Sequence, residues 1–146
     1  MALTVRPGGR EDAALVTALH AMAAGVAYAD IFPGQQFPIE LTRRRWEAFA
    51  GEVRIAEEDG NPVGFVAFEG DWLSALYVLP DWWGRGIGGL LLDLAGPVSS
   101  LWVLEDNHQA RGFYERRGWS PDGGAREAFG VSELRYTRVS PAGSCG

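Results

Sequence analysis

The stretch WWGRGIGGLLLDL, residues 82–94, places four glycines within six positions and then continues into leucines. Because glycine has no side chain, such a segment lets its backbone approach a partner closely. An apolar, helix-forming run directly after the glycines adds a helix N-terminus, which carries partial positive charge. The pattern indicates a loop that holds a phosphate group, and three classes of protein build such a loop.

Two of these classes fit the rest of the sequence poorly. A Walker loop ends in Gly-Lys-Ser or Gly-Lys-Thr, and this chain contains no lysine. A dinucleotide-binding fingerprint, G-x-G-x-x-G, matches Gly84, Gly86 and Gly89, and Glu105 closes the next predicted strand. The context of that match is unusual, since PDWW separates the strand from the glycines and a long helical and hairpin region precedes it. Dinucleotide binding therefore stays an alternative.

The third class is carried by two blocks of sequence. LYVLPDWWGRGIGGLLL (residues 76–92) resembles the signature of the GCN5-related N-acetyltransferase superfamily, in which a strand with Tyr-Val-x-Pro precedes Q/R-x-x-G-x-G/A and an apolar helix. LWVLEDNHQARGFYERRGW (residues 101–119) is similar to the family's second block. The hairpin DGNPVGFVAF and the terminal ELRYTR also match the family's layout. The resemblance covers nearly the whole chain, and two ordered blocks are more specific than one loop.

Hydrophobic periodicity predicts an α+β domain with layers of helix and sheet. Helices are predicted over residues 11–28, 39–49 and 107–118, and for about two turns after the glycines. A β-hairpin is predicted over residues 53–70, and further strands near residue 5 and at 72–79, 100–105, 128–130 and 133–138. The resemblance implies a mixed, mostly antiparallel sheet of six to seven strands with about four helices, splayed between strands 72–79 and 100–105.

The resemblance also implies that acetyl-CoA is the co-substrate. Successive backbone amides would bind its diphosphate, and its pantetheine arm would insert at the splay and pair with freed main-chain groups. The alternative is that the glycines only form a tight turn. The residues assigned to coenzyme binding are Leu76, Val78, Leu79, Trp83, Gly84, Arg85, Gly86, Ile87, Gly88, Gly89, Asn107, Ala110 and Phe113.

Tyr114 aligns with a family tyrosine that protonates the departing thiolate, so the resemblance implies that it is the general acid. Its ring could instead pack against the ligand. Asn107 would contact the pantetheine, and it also suits the N-cap of the helix that follows. Many relatives carry a glutamate where this chain has Trp72, so no general base is assigned. Trp83 replaces the usual Gln or Arg, which removes a side-chain contact near the phosphates.

The acceptor pocket of the family is walled by the two N-terminal helices and their junction. Here the junction is AYADIFPGQQFP, residues 27–38. Aromatic side chains in this region would enclose an apolar or cationic acceptor, or they belong to the core. His20 is interpreted as a residue on a helix face. The residues assigned to substrate binding are Tyr28, Asp30, Phe32, Trp72 and Phe129.

The composition excludes several other functions. The 146 residues, 47% of them apolar, predict one globular domain over residues 1–140, with residues 141–146 as a flexible tail. Without a bilayer-length apolar run or a secretion signal, the protein is expected to be cytoplasmic, with no membrane partner. One cysteine and two histidines supply a metal site poorly. The net charge of −6 argues against nucleic acid.

These observations predict an enzyme: an acetyl-CoA-dependent N-acetyltransferase that needs no metal. Its acceptor would be a primary amine of a small molecule or peptide, which attacks the thioester directly in a ternary complex. The departures at Trp72 and Trp83 keep a second hypothesis open, a non-catalytic domain that binds or senses acyl-CoA. Relatives often form dimers, so a homodimer is an open expectation.

Overall fold

A single seven-stranded sheet organises the chain in the computed structural model, which describes residues 2–29, 31–32, 34, 36–128 and 130–138. The strands are β1 (Leu3–Gly8), β2 (Glu52–Glu58), β3 (Asn61–Glu69), β4 (Trp72–Val78), β5 (Ser100–Leu104), β6 (Ser120–Ala128) and β7 (Val131–Thr137). The helices are α1 (Ala13–Ala27), α2 (Ile39–Glu47), α3 (Ile87–Leu94) and α4 (His108–Glu115). The predicted α+β fold and its strand number are confirmed.

The strands lie in the order β1-β2-β3-β4-β5-β7-β6, and every neighbouring pair except β4 and β5 is antiparallel. The parallel strands β4 and β5 are joined through α3, because parallel neighbours need a crossover connection. They pair only at Trp72 and Ser100 and diverge beyond that point. The predicted splay between these two strands is therefore confirmed.

Helices cover the sheet on both faces. On one face, Val16 and Leu19 of α1 pack against Ile55 of β2 and Phe65 of β3. On the other face, α3 and α4 bury their apolar sides in a larger cluster that includes Leu91, Leu92, Leu101, Tyr114, Trp119 and Tyr136. The glycine loop lies directly before α3, so packing of that helix holds the loop at the splay.

The last hairpin differs from the prediction. A strand was expected at residues 128–130, but β6 covers Ser120–Ala128, and Gly130 lies in the turn with φ 80°. The segment SPDGGAREA has the composition of a loop, yet it pairs with β7, with an irregularity between Pro121 and Ala125. Pairing with a neighbour overrides weak intrinsic strand preference at a sheet edge.

The remaining differences are small. Strand β1 runs through Pro7 to Gly8, which an edge strand tolerates because one side has no ladder to interrupt. Helix α1 begins after a short 3-10 helix, Arg10–Asp12, and α4 ends at Glu115, three residues earlier than expected. Across the described ranges, no helix has the length and apolar character required to cross a bilayer. The predicted tail, residues 141–146, lies outside the described residues.

Candidate active site

The splayed half of β4 exposes main-chain groups toward the gap beside β5. The amide of Leu79 donates to the carbonyl of Val63 at 2.8 Å, in register with the pairing of Tyr77 and Phe65. Hydrogen-bonded and non-bonded pairs alternate in an antiparallel ladder. The N–H and C=O groups of Val78 therefore point away from β3, into the gap, and those of Leu76 do the same.

The main-chain groups of Leu79 are oriented differently from those of Leu76 and Val78. The structure therefore narrows one predicted contact. Its amide is held by Val63, and its carbonyl accepts from the amide of Trp82 at 2.9 Å. Its only main-chain donor is engaged within the protein, so Leu79 can offer a ligand no amide, only the second lone pair of its carbonyl. The main-chain contacts expected at Leu76 and Val78 stay open.

The glycine loop presents a row of amides that the protein does not use. Gly84 and Gly86 have φ of 77° and 81°, a left-handed conformation that non-glycine residues rarely adopt. Within the described parts of the chain, the amides of residues 84–89 have no hydrogen-bond acceptor, and the first bond of α3 runs from Leu90 to Gly86. This row of donors at a helix N-terminus suits an anion with several oxygens.

Helix α4 presses closely on the start of α3. A Cβ atom on Gly88 would lie 3.2 Å from the ring of Phe113, and one on Gly89 would lie 3.2 Å from Nη2 of Arg117. The Arg117 guanidinium stacks 3.8 Å from the centre of the Phe113 ring and donates to the Phe113 carbonyl at 3.0 Å. A fixed positive charge thus lies beside the glycine loop, a feature that the sequence analysis missed.

Two aromatic side chains frame the other side of the loop. The indole nitrogen of Trp83 donates to the carbonyl of Val78 at 2.7 Å. The guanidinium of Arg85 lies 4.5 Å from the centre of the Trp82 ring and 3.9 Å from Oε2 of Glu58. Trp83 therefore connects the glycine loop to the splayed end of β4 through its side chain. A glutamine or arginine at this position would place its donor groups differently.

One cavity of about 1330 Å³ joins the splay, the glycine loop and the space beneath α1. Most predicted site residues meet there, whereas Asp30 and Phe129 lie outside the described residues. The predicted residues that line it are Tyr28, Phe32, Trp72, Leu76, Val78, Trp83, Gly84, Gly86, Ile87, Gly88, Gly89, Asn107, Ala110, Phe113 and Tyr114. This volume exceeds the roughly 300–1,000 Å³ that is usual for one small-molecule pocket.

Tyr114 projects from α4 into this cavity. Its ring packs edge-on against Phe113 at 5.2 Å and Trp119 at 5.9 Å, and only 8% of the residue is exposed. Burial raises the pKa of the Tyr114 hydroxyl well above its ordinary value, because an apolar environment disfavours the phenolate. The hydroxyl is therefore protonated at neutral pH, as a proton donor must be.

Asn107 caps α4. Its side-chain oxygen accepts a hydrogen bond from the amide of Ala110 at 3.2 Å, which is the capping role expected as one of its two possibilities. The side chain also borders the cavity. Capping fixes the start of the helix that carries Tyr114.

A cluster of polar aromatic residues forms the wall beneath α1. The hydroxyls of Tyr28 and Tyr77 lie 2.8 Å apart, and His20 stacks on Tyr77 with ring centres 4.5 Å apart. Nδ1 of His20 accepts from the indole of Trp46 at 3.3 Å. Burial, and then the charge of Arg45, lowers the pKa of His20 to about 4, so the ring is neutral at pH 7. His20 thus lies on a face of α1, as expected, and that face lines the cavity.

The residues on another wall of the cavity were only partly predicted from the sequence. Trp72, a predicted residue, stacks on Trp102 of β5 with ring centres 6.2 Å apart. Arg126 of β6 lies over the Trp102 ring at 4.3 Å and donates to Glu133 of β7 at 2.8 Å. Trp102, Arg126 and Glu133 were not assigned to the site from the sequence, because their contacts join three different strands. In the described portion of the chain, no group of three or more His, Cys, Asp or Glu side chains is placed to hold a metal.

Comparison with known proteins agrees with this geometry. The family model described as an acetyltransferase (GNAT) domain matches residues 50–121, which include the hairpin, the glycine loop and α4. Residues 50–121 of the chain belong to the GCN5-related N-acetyltransferase superfamily. The matched region of this GNAT protein contains both sequence blocks that resembled the family.

Relatives of this GNAT protein include the Mycobacterium tuberculosis protein named "Probable N-acetyltransferase Rv2775", 36% identical over 101 residues, 61% of this chain and 55% of that one. The peptidyl-lysine N-acetyltransferase YjaB of Salmonella typhimurium is 38% identical over 74 residues, 49% of this chain and 50% of its own. The chain spans about half the length of the curated relatives it matches.

Solved structures share the fold over almost the entire chain. The apo form of YjaB from Escherichia coli has a TM-score of 0.79 at 24% identity, with 96% of this chain and 99% of that chain covered. The PaiA N-acetyltransferase of Thermoplasma acidophilum, solved with coenzyme A, has a TM-score of 0.72 at 18% identity, with coverage of 95% and 100%. The GNAT architecture thus extends beyond the region of sequence similarity.

Proposed function

We propose that this protein is an acetyl-CoA-dependent N-acetyltransferase that acetylates a primary amine, with a peptidyl lysine as the first candidate acceptor. The observation that carries the proposal is the row of amides at residues 84–89, which have no acceptor among the described residues and open into the cavity that Tyr114 lines. Family membership supports the same activity.

The coenzyme would be held by backbone groups at both ends of the splay. The amides of residues 84–89 would bind the diphosphate, with Arg117 adding positive charge beside them. The main-chain groups of Leu76 and the amide of Val78, whose carbonyl accepts from the indole of Trp83, would pair with the pantetheine arm as a neighbouring strand does. Both sets of contacts use the main chain, so they tolerate the loss of the family's usual side chain at Trp83.

The chemistry requires an amine, a thioester and a proton donor in one space. The amine nitrogen attacks the carbonyl carbon, the carbon–sulfur bond breaks, and the thiolate takes a proton from the Tyr114 hydroxyl. Tyr114 carries a protonated hydroxyl at neutral pH and lines the cavity, which supports this role. The single cavity beneath α1 and beside the splay supports direct attack in a ternary complex.

The acceptor side supports an extended, cationic group. Relatives from Salmonella typhimurium and Escherichia coli are named peptidyl-lysine N-acetyltransferases. In this chain the stacked pair Trp72 and Trp102 forms one wall, and Tyr28 with Phe32 lies on another, joined edge-on at 6.1 Å. Aromatic walls bind a methylene stem and favour a cation near their faces.

The test is release of free coenzyme A from acetyl-CoA in the presence of lysine peptides, peptides with a free N-terminus, and small primary amines. Turnover with at least one amine, together with acetylated product by mass spectrometry, is the expected result. Tight binding of acetyl-CoA without turnover would instead favour the sensing domain. Thermal stabilisation by NADH and not by acetyl-CoA would overturn the assignment in favour of dinucleotide binding.

A further inference from the structure

We propose that Glu133 receives the ammonium group of the acceptor and removes its proton, an inference that rests on the proposed acetyltransferase activity. The position where many relatives carry a glutamate is Trp72 in this chain. In the described ranges two carboxylates line the cavity, Glu69 and Glu133, and Glu69 is exposed to solvent whereas Glu133 is largely shielded. Glu133 is the carboxylate of β7 that lines the cavity.

The sheet geometry places Glu133 on the acceptor side. Leu134 and Tyr136 of β7 pack into the core beneath α3 and α4. Since successive side chains of a strand point to opposite faces, Glu133 lies on the face that α1 and α2 occupy. The core beneath those two helices involves β2, β3 and β4, and Glu133 lies past it, across from Leu104 of β5.

Only one of the two carboxylate oxygens of Glu133 is bonded to a protein group that the structure describes. Oε1 of Glu133 accepts from Nε of Arg126 at 2.8 Å, and Arg126 is itself stacked on Trp102 at 4.3 Å. The Glu133 side chain is only 16% exposed. Among the described residues no donor contacts Oε2, which is therefore available to a ligand. A carboxylate fixed by one arginine can accept further donors at its second oxygen.

The groups that face Glu133 come from three other elements besides β6. Burial is the main cause that raises the pKa of Tyr28, the residue after α1, and of Tyr77 on β4, and the negative charge of Glu133 adds to both shifts. Tyr114 of α4 lies close enough to contribute to the shift at Tyr77. Glu133 of β7 and Tyr114 of α4 both line the cavity, as the base and the acid of one reaction must.

The step balances without a further reactant. Oε2 of Glu133 takes one proton from the ammonium and later releases it to solvent. The freed lone pair forms the carbon–nitrogen bond, the carbon–sulfur bond breaks, and Tyr114 protonates the thiolate. The second proton lost from nitrogen restores the Tyr114 hydroxyl. One ammonium and one thioester thus give one amide, one thiol and one proton.

Replacing Glu133→Gln tests the role with a lysine peptide as acceptor. We expect kcat/KM at pH 7 to fall ~10²-fold, with affinity for coenzyme A unchanged. The deficit should narrow as the pH approaches 10, because a lysine ammonium with pKa ~10.4 then loses its proton to solvent. Glu133→Asp, which keeps the carboxylate, should recover part of the rate. Glu127→Gln, an exposed position on β6, is the matched control and should behave as wild type.

A measurement on the wild type is independent of how the variants fold. With coenzyme A bound, a lysine peptide should bind at least ~10-fold more tightly than the same peptide with norleucine, which lacks the ammonium. Equal binding of the two peptides, or full activity of Glu133→Gln beside an active wild type, would overturn the role of Glu133 and leave the proposed function intact. A wild type that binds acetyl-CoA yet acetylates no amine would overturn the proposed function itself.

Discussion

The indole nitrogen of Trp83 donates a 2.7 Å hydrogen bond to the carbonyl oxygen of Val78. That carbonyl faces the gap between β4 and β5, where our proposal has the pantetheine arm bind. The side chain that departs from the family pattern is thus bonded to one of the few main-chain acceptors at the splay. Ligand and indole compete for the same oxygen.

Removing this competitor should strengthen coenzyme binding. We expect Trp83→Phe, which keeps an aromatic ring but no donor, to bind coenzyme A about five-fold more tightly, the equivalent of about 1 kcal/mol for one hydrogen bond. Isothermal titration calorimetry measures the change, and Trp82→Phe is a control on the adjacent ring. Weaker binding by Trp83→Phe would mean that the indole serves mainly to hold the loop in place.

The two ends of α3 allow a matched test of the amide cradle. Gly86 and Gly96 both have a left-handed backbone, with φ of 81° and 73°, and neither has an atom within 4 Å of an added Cβ. Each alanine substitution should cost about 1–2 kcal/mol of unfolding free energy. Only Gly86→Ala should also weaken coenzyme A binding, by ~10-fold or more, because it reorients amides of the loop.

Equal loss of coenzyme affinity in both glycine variants would contradict this expectation, since it would trace the effect to general destabilisation. Chemical denaturation supplies the unfolding free energies, and calorimetry at a temperature where both variants are folded supplies the affinities.

Tyr114→Phe separates proton donation from packing. The substitution keeps the ring that contacts Phe113 and Trp119 and removes only the hydroxyl. We expect kcat to fall ~10²-fold or more with the affinity for acetyl-CoA nearly unchanged. Steady-state kinetics with a saturating amine provide the measurement. A kcat equal to that of the wild type would restrict Tyr114 to a packing role.

His20 predicts a specific pH dependence of stability. Its pKa is about 4 in the folded protein and about 6.5 in an unfolded chain. The unfolded state therefore binds a proton first, so the contribution of His20 is complete above pH 6.5 and is lost as the pH falls toward 4. Between pH 7 and pH 4, the unfolding free energy of the wild type should therefore fall by about 2 kcal/mol more than that of His20→Phe.

Urea denaturation at the two pH values measures this difference, and His108→Gln, which removes an exposed histidine of α4, is the control. If the unfolding free energies of the wild type and of His20→Phe change equally with pH, the His20 imidazole takes up protons in the folded protein as readily as in the unfolded chain.

Some features of the structure could be predicted from the sequence because they depend on local chemistry. The glycine loop, the cap at Asn107 and the helix periodicity depend on residues close together in the chain, and all three appear as expected. An amide contact from Leu79 was not excluded by the sequence, because a ladder bond to Val63, distant in sequence, decides which way that amide points. Strand β6 was missed because its pairing with β7 outweighs its loop-like composition.

The sequence by itself determined the family, the crossover between β4 and β5 and the position of the amide row, since each follows from short-range spacing and backbone conformation. Only the tertiary structure decided which side chains surround the cavity. Arg117 reaches the loop through the packing of α4 on α3, and Arg126, Trp102 and Glu133 meet because three strands lie side by side. Such contacts depend on the order of the strands in the sheet and on the face to which each side chain points. No local sequence pattern encodes these two properties.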